Sequence, residues 1–210
     1  MTEPVLHKFD RIAHGYSEHD YADPVRYAAR RAEIIVGLGP RLVAGQTVLD
    51  LGCGDGIMAA PLISFGLAYR GVDASTGMVD AARIRNPGLS FEVSRSEDYA
   101  PAEPVDATIC LRSFYYPDDR QAFFRRVAGY TRVKFVFDFR PRDHSVPSVV
   151  ADLRAAGFGQ IELRPFFRPQ LRRVPGAAVP AVNALERTGP LASFAVRWYG
   201  RMFCAAWTPA

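Results

Sequence analysis

Apolar positions follow two alternating patterns along most of the chain. Short apolar runs, typical of buried strands, predict strands at 47–51, 67–72, 90–93, 107–111, 133–139, 160–163 and 202–207. Apolar residues at helical spacing predict helices at 25–36, 57–65, 76–85, 118–129, 146–156, 179–187 and 191–199. Strand–helix repeats of this size predict an α/β fold with a mostly parallel sheet and helices on both faces.

Two accessory parts flank the alternating region. Residues 1–44 form an aromatic and charged segment before the first strand, with a helix near its end. Residues 165–200 are rich in Pro, Arg and Gly and lie before the final strand, which indicates a late insert. A chain of 210 residues has the usual length of one α/β domain, so we predict a single domain over residues 1–210.

Composition excludes several classes of protein. With 49% hydrophobic and 23% charged residues the chain is globular rather than disordered. It has no apolar run of about 18 residues, so we predict no membrane span, and the N-terminus lacks a secretion signal pattern. The three cysteines Cys53, Cys110 and Cys204 form no CxxC pair, which argues against a disulfide framework and a metal site. The expected location is cytoplasmic.

The net charge is mildly basic, at +4. Arginines alternate with acids over most of the chain, so this charge does not favour nucleic-acid binding. A cluster in the late insert, made of Arg164, Arg168, Arg172 and Arg173, has two open interpretations. These arginines either bind an acidic ligand or contribute to the solubility of the protein.

A glycine-rich segment directly after the first predicted strand carries the chemistry. Val48-Leu-Asp-Leu-Gly-Cys-Gly-Asp-Gly56 places three glycines between an apolar strand and a helix. Glycines are needed where the backbone turns sharply or approaches a ligand closely. Ligands of open α/β sheets bind at the carboxyl ends of the strands, so a ligand is expected at this loop.

The charges beside the glycines indicate which ligand. A dinucleotide-binding loop reads GxGxxG, whereas here the third glycine comes one residue early and position 57 is Ile. Asp50 and Asp55 flank the glycines, and each would repel a pyrophosphate by about 4 kcal/mol at about 4 Å and an effective dielectric of about 20. The loop therefore favours a cationic ligand over an anionic one.

These motifs carry a resemblance to a known family. Leu49-Asp-Leu-Gly-Cys-Gly-Asp-Gly56 resembles the first motif of class I S-adenosylmethionine (SAM) methyltransferases, of the small-molecule, type 11-like kind. Tyr69-Arg-Gly-Val-Asp73-Ala-Ser-Thr-Gly-Met78 is similar to their second motif, and Phe9-Asp-Arg-Ile-Ala-His-Gly-Tyr16 resembles an N-terminal lid motif. The resemblance implies a Rossmann-like sheet of seven strands whose last strand is antiparallel. It also implies that residues 1–44 are a lid and that 165–200 cap a substrate.

The resemblance further implies a site for SAM and its product S-adenosylhomocysteine. Asp73 would accept hydrogen bonds from both ribose hydroxyls, Ala74 and Met78 would lie near the adenine, and Tyr16 would cover the methionine end. Arg31 is a candidate for the methionine carboxylate, although solvated surface positions for Arg30 and Arg31 are the alternative. Arg95 stands where the family often has an acid. The implied cofactor residues are Tyr16, Arg31, Asp50, Gly52, Cys53, Gly54, Gly56, Asp73, Ala74, Met78, Ser96, Glu97, Leu111 and Arg112.

The reaction implied is methyl transfer to an O or N atom of a small, aromatic or natural-product acceptor. Alignment of reactants alone can lower a barrier by roughly 7–11 kcal/mol, so a base is not required. If one is used, His19 and His144 are candidates because their ordinary pKa suits neutral pH, and Tyr116 is a candidate for orienting the acceptor.

Other functions stay open at this point. Leu111-Arg-Ser-Phe114 lacks the motif common in nucleic-acid amino-methyltransferases, so RNA or another macromolecule is the alternative acceptor rather than the preferred one. A non-catalytic SAM-binding protein and a nicotinamide-dependent oxidoreductase are further alternatives. The expected assembly is a monomer or a homodimer.

Overall fold

Seven strands form one sheet in the computed structural model, which describes residues 3–186, 189–198 and 200–209. The strands are β1 (Thr47–Leu51), β2 (Ala68–Asp73), β3 (Ser90–Val93), β4 (Val105–Leu111), β5 (Thr131–Phe139), β6 (Gln160–Phe166) and β7 (Arg201–Trp207). Their order is β3-β2-β1-β4-β5-β7-β6. β1 to β5 run parallel, and β7 is antiparallel to both β5 and β6. The predicted fold class, including the antiparallel last strand, is confirmed.

Nine α-helices lie in the described part of the chain. They are α1 (Glu3–Ile12), α2 (Tyr16–Asp20), α3 (Pro24–Gly37), α4 (Ala59–Ile63), α5 (Thr76–Arg85), α6 (Arg120–Tyr130), α7 (Val146–Ala155), α8 (Val179–Leu185) and α9 (Pro190–Ala195). The predicted helix at 57–65 is shortened to five residues, because Ile57 and Met58 belong to the turn that follows the glycines. Arg187 and Tyr199, the predicted ends of two late helices, lie outside the described residues, as do Met1, Thr2, Thr188 and Ala210.

Helices pack on both faces of the sheet. On one face, the buried core includes Ile34 and Ile35 of α3, Val79 of α5 and Val136 of β5. On the other face, aromatic residues dominate, with Phe123 and Phe124 of α6 against Phe135 and Phe137 of β5. Successive strand residues point to opposite faces, so Val136 and its two Phe neighbours lie in different cores. The central strands are thus buried on both sides, as in other parallel sheets.

The strand order determines where a ligand can bind. The chain moves outward in one direction from β1 to β2 and β3, and in the other direction from β4 to β5. Between β1 and β4 the order reverses, and the helices that follow these two strands lie on opposite faces. This leaves a crevice at the carboxyl ends of β1, β2 and β4, the usual binding position in such sheets.

A buried lysine caps α3 from inside the sheet. Lys134 of β5 is 0% exposed, and its Nζ donates to the carbonyl oxygens of Val36 at 3.1 Å and Leu38 at 2.6 Å. The last carbonyls of a helix lack intrahelical partners and carry partial negative charge, so an amine satisfies them. Burial lowers the pKa of Lys134 to about 7.

We expect Lys134 to make folding stability depend on pH. Between about pH 7 and 10.5 the unfolded chain binds a proton at this amine that the folded chain has lost, so stability should rise with pH. The slope is at most about 1.4 kcal/mol per pH unit. Chemical denaturation at pH 7.5 and 9.5 should show this gain in the wild type and not in Lys134→Met. Parallel pH dependence of the two proteins would contradict it.

The described ranges contain no helix with both the length and the apolar character that crossing a bilayer requires. Across the same residues, no group of three or more His, Cys, Asp or Glu side chains is arranged to hold a metal ion. Cys53, Cys110 and Cys204 are buried free thiols.

Candidate functional site

The glycine loop between β1 and α4 requires glycine at each of its three positions. Gly52, Gly54 and Gly56 have φ of +74°, +55° and +72°, a region that disfavours side chains. A Cβ on Gly52 would lie 2.4 Å from Ser113 Oγ, and one on Gly56 would lie 2.7 Å from Asn86 Nδ2. A Cβ on Gly54 would meet nothing within 4 Å. Gly52 and Gly56 therefore allow close packing, whereas Gly54 leaves space open for a ligand.

Two carboxylates at the ends of β1 and β2 border that space. Asp73 accepts the N–H of Gly54 on Oδ2 and the N–H of Ser75 on Oδ1, each at 2.9 Å. Asp50 is 1% exposed. Its Oδ2 accepts the hydroxyl of Tyr69 at 2.7 Å, and its Oδ1 has no hydrogen-bond partner among the described residues. Burial raises the pKa of Asp50 to about 7 and also raises that of Asp73.

Arg31 lies on α3 beside Asp50 rather than in solvent. It is 4% exposed, it contacts the ring of Tyr27, and its Nε has no hydrogen-bond partner in the described structure. Arg30 is also buried and pairs with Glu33 and Glu186. The interpretation of these two arginines as solvated surface residues is therefore wrong. An unsatisfied buried carboxylate oxygen and an unsatisfied guanidinium N–H face one cavity, which suits a ligand that carries both an amine and a carboxylate.

Arg112 follows β4 in a strained conformation, with a φ of +61°. Its backbone N–H donates to Asp138 Oδ1 at 2.7 Å, and its guanidinium donates to the hydroxyl of Tyr21 at 2.7 Å. Burial alone would raise the pKa of Asp138, but Arg201, Arg31 and the Arg112 N–H outweigh it and hold that pKa below its usual range. An ionised Asp138 thus fixes the backbone that turns Arg112 toward the cavity.

Aromatic side chains from the N-terminal helices cover the cavity. The Phe9 ring of α1 contacts the rings of Tyr16 and Tyr116 edge to face, with centroids 6.3 and 6.1 Å away. Tyr21 also lines the cavity and stacks near Arg112. Burial raises the pKa of Tyr16 above its usual range and that of Tyr116 to about 12. Both phenols therefore stay protonated at neutral pH.

Two carboxylates hold these helices in place. The backbone N–H and hydroxyl of Ser17 donate to Asp55 at 3.0 and 2.7 Å, and Arg85 bridges Asp55 to Glu18. Asp10 accepts from Ser75 Oγ at 2.5 Å and from the Gly77 N–H at 3.1 Å, at the start of α5. The sequence suggested that the charge of Asp55 is directed at a ligand. In the structure, the Asp55 carboxylate accepts hydrogen bonds from Ser17 and forms an ion pair with Arg85.

The cavity encloses about 830 Å³ of empty space, including its opening to solvent. Most of the residues proposed from the sequence line this cavity: Tyr16, Arg31, Asp50, Gly52, Cys53, Gly54, Asp73, Ala74, Met78, Ser96, Glu97, Leu111, Arg112 and Tyr116. Asp55, whose charge the sequence used to choose between ligands, also lines the cavity. Six further lining residues are not site predictions from the sequence: Phe9, Ser17, Tyr21, Ile57, Met58 and Ser113.

Three proposed residues do not line the cavity. Gly56 instead packs against Asn86 and Ala82 of the α5 end. His19 is exposed, with Nδ1 bonded to the Gly15 carbonyl at 2.6 Å. His144 packs against the rings of Phe114 and Tyr115, and burial lowers its pKa. The structure therefore brings neither histidine to the cavity as a base.

Arg95, in the position where the family often has an acid, binds a neighbouring acid. Its Nε donates to Glu97 Oε1 at 2.8 Å, and Glu97 lines the cavity together with Ser96. The departure from the family pattern at residue 95 thus leaves a carboxylate at the cavity, supplied two residues later.

Comparison with known proteins gives a consistent result. Residues 48–133, which contain β1 to β4 and the glycine loop, match the family model described as a methyltransferase domain. The chain is 32% identical over 83 residues to a ubiquinone biosynthesis O-methyltransferase of Thiobacillus denitrificans, covering 37% of this chain and 36% of that one. Residues 48–133 form a methyltransferase domain of the class I SAM-dependent type.

A second curated relative is also named as a methyltransferase. A ubiquinone biosynthesis O-methyltransferase of Paramagnetospirillum magneticum is 30% identical over 124 residues, which are 55% of this chain and 50% of the relative. Across these matches the chain spans between 36% and 50% of the length of the curated relatives.

Solved structures share the fold over nearly the whole chain. A chain from a complex that contains the Haloferax volcanii Trm112 methyltransferase activator has a TM-score of 0.69 at 21% identity, covering 96% of this chain and 98% of that chain. Magnesium protoporphyrin IX methyltransferase of Synechocystis has a TM-score of 0.59 at 20% identity, with 99% and 86% covered. The Synechocystis structure contains bound SAM.

Proposed function

We propose that this methyltransferase transfers the methyl group of SAM to an oxygen or nitrogen atom of a small molecule bound beneath the N-terminal helices. One observation carries the proposal. The cavity at the switch point of the sheet combines Asp73 with two buried polar atoms that lack partners, Asp50 Oδ1 and Arg31 Nε. Ribose hydroxyls, an ammonium and a carboxylate are the groups that these three side chains fit.

Each residue has a distinct role in this proposal. Each carboxylate oxygen of Asp73 accepts one backbone N–H and keeps capacity for a second donor, such as a ribose hydroxyl. Asp50 would accept from the amine of the methionine end, and Arg31 would donate to its carboxylate. Met78 and Ala74, beside Asp73, would contact the base. When bound, SAM would supply a sulfonium methyl group that an acceptor lone pair can attack, with S-adenosylhomocysteine as the leaving group.

The aromatic cover accounts for the acceptor class. Phe9, Tyr16, Tyr21 and Tyr116 line the cavity and would pack on a flat acceptor while they exclude water. Tyr16 and Tyr116 remain protonated, so they orient the acceptor by hydrogen bonds rather than remove its proton. Catalysis would come mainly from alignment, which can contribute roughly 7–11 kcal/mol. The names of the relatives favour oxygen as the methylated atom.

Labelled cofactor tests the proposal directly. The purified protein is incubated with methyl-tritiated SAM and, separately, a small-molecule extract, an RNA extract and a protein extract. We expect label in the small-molecule fraction with the wild type and none with Asp73→Ala. Label confined to RNA or protein would contradict the proposed acceptor class, and binding of SAM without any transfer would contradict catalysis.

The raised pKa of Asp50 predicts a pH-dependent affinity. With a pKa of about 7 in the free protein, the carboxylate is mostly neutral at pH 6 and mostly ionised at pH 8. Because an ammonium ligand binds the ionised form, affinity for S-adenosylhomocysteine should rise by about tenfold over this interval. Calorimetry at both pH values measures it. Asp50→Asn keeps the shape and should show a weaker affinity without the rise, and an equal rise in both proteins would contradict the assignment.

A further inference from the structure

A second hollow lies where the start of α3 meets the segment that follows β6. Four arginines line it: Arg26 from α3, and Arg168, Arg172 and Arg173 from the later segment. Three of these belong to the arginine cluster that the sequence showed, and Arg26 joins them from a distance of more than 140 residues along the chain. Arg164, the fourth member of that cluster, does not line the hollow.

The positive charge in this hollow is largely uncompensated. Asp23 is the one acid among its lining residues. Its Oδ1 caps α3 by accepting the Arg26 N–H at 3.2 Å, and its Oδ2 lies 3.7 Å from Arg26 Nε. Over the described ranges, the guanidinium groups of Arg168, Arg172 and Arg173 have no carboxylate within 4.0 Å.

Polar contacts leave several of these N–H groups available. Arg168 Nε is buried without a partner, while its Nη2 reaches only Asn183 Oδ1 at 3.4 Å. Arg173 uses Nε to donate to the Ala22 carbonyl at 3.0 Å, which leaves its terminal nitrogens for another acceptor. Like charges gathered in one hollow repel one another, and a buried unsatisfied donor costs about 1–3 kcal/mol. An oxyanion would remove both penalties.

We propose that this hollow binds a phosphate-type oxyanion. Planar guanidinium groups donate pairs of N–H bonds that match the oxygen spacing of phosphate. The arginines converge on one concave site instead of lying along a stripe, so a compact oxyanion fits better than a nucleic-acid strand. The hollow shares no lining residue with the cofactor cavity: Tyr21 lines the cavity and Tyr27 lines the hollow, with their tilted rings 4.9 Å apart. The proposal is therefore independent of the proposed methyl transfer.

A bound oxyanion would stabilise the contact between the late segment and the N-terminal helices. That contact already includes the buried ion pair of Arg30 with Glu186 and the donation of Arg173 to the Ala22 carbonyl. In addition, the Ala22 N–H donates to the Gln170 carbonyl at 2.9 Å, and Gln170 Nε2 donates to Asp20 at 3.2 Å. Arg26 comes from the N-terminal part and the other three arginines from the late segment, so a shared oxyanion would connect the two.

Calorimetry at low ionic strength with inorganic phosphate and with pyrophosphate tests the site. We expect saturable binding of one oxyanion, stronger for pyrophosphate, and no heat from chloride at equal ionic strength. Arg168→Gln/Arg172→Gln should weaken binding at least about tenfold, as should Arg172→Glu, which alters an exposed side chain and leaves Arg168 intact. Sedimentation with vesicles that contain phosphatidic acid distinguishes a lipid headgroup from a soluble phosphate as the natural source.

Arg125→Gln/Arg126→Gln is the matched control. This double substitution removes the same amount of positive charge from two exposed arginines of α6. Because these arginines lie beside Asp118 and Asp119, the control should bind phosphate like the wild type. Thermal unfolding without phosphate checks that every variant is folded. Absence of saturable binding, or an equal loss in the control, would overturn the proposal. So would binding of single-stranded RNA with no binding of phosphate or pyrophosphate.

Discussion

Asp73→Ala protein is expected to bind S-adenosylhomocysteine at least about 100-fold more weakly than the wild type. Hydrogen bonds to a charged acceptor contribute roughly 1.5–3 kcal/mol each, and the substitution removes two of them to the ribose. A loss of about 3 kcal/mol corresponds to about a 100-fold change in Kd. Calorimetric titration of both proteins measures the effect.

The fold must survive for that comparison to be informative. Asp73 also accepts the N–H groups of Gly54 and Ser75, so its loss alters the loop itself. Asp73→Asn keeps one side-chain oxygen as an acceptor and should fall between the wild type and Asp73→Ala in affinity. Asp80→Ala removes an exposed acid on α5 that pairs only with Arg83, and should bind normally. Wild-type affinity in a folded Asp73→Ala protein would contradict the proposed cofactor site.

Gly54→Val is expected to abolish cofactor binding while the protein stays folded. The new side chain would extend into open space in the cavity rather than into protein atoms, so it would occupy the volume that the ligand needs. The positive φ of +55° adds backbone strain of about 1–3 kcal/mol. Denaturation should therefore show a modest loss of stability, and titration should show no binding.

Gly45→Val separates strain from blockage. Gly45 has a φ of +88°, and a Cβ there would also meet nothing within 4 Å, but it does not line the cavity. It should lose a similar amount of stability and bind S-adenosylhomocysteine like the wild type. Equal loss of binding in the two valine variants would mean that strain, and not occupation of the cavity, causes the defect at Gly54.

The parts of the site that the sequence predicted are those encoded locally. The glycines and the acids at residues 50 and 73 occur at the ends of strands whose apolar runs are easy to recognise, and parallel strands bring their carboxyl ends to one edge. The sheet therefore determines the position of a side chain at the end of a strand. This is why all seven strands and most of the cavity lining were found.

Residues brought in by long-range contacts could not be found in this way. Ser17 meets Asp55 across 38 positions of sequence, and nothing in either neighbourhood indicates the other. The same limit explains the errors over Arg30 and Arg31, since burial of an arginine depends on a partner such as Glu186, which lies 156 residues away. The positive φ of Arg112 has no sequence signal, because it is held by Asp138 of another strand. His144 has an appropriate ordinary pKa, but its ring packs among aromatics.

The position of β7 in the sheet has a consequence for synthesis on the ribosome. The last strand to be translated lies between β5 and β6 and provides the pairing partner of both. Until it emerges, β5 has an unpaired edge and β6 has no neighbour, so the nascent chain exposes backbone groups that favour aggregation. Completion of this half of the sheet must therefore wait until β7 has been translated, whereas β1 to β4 can pair earlier.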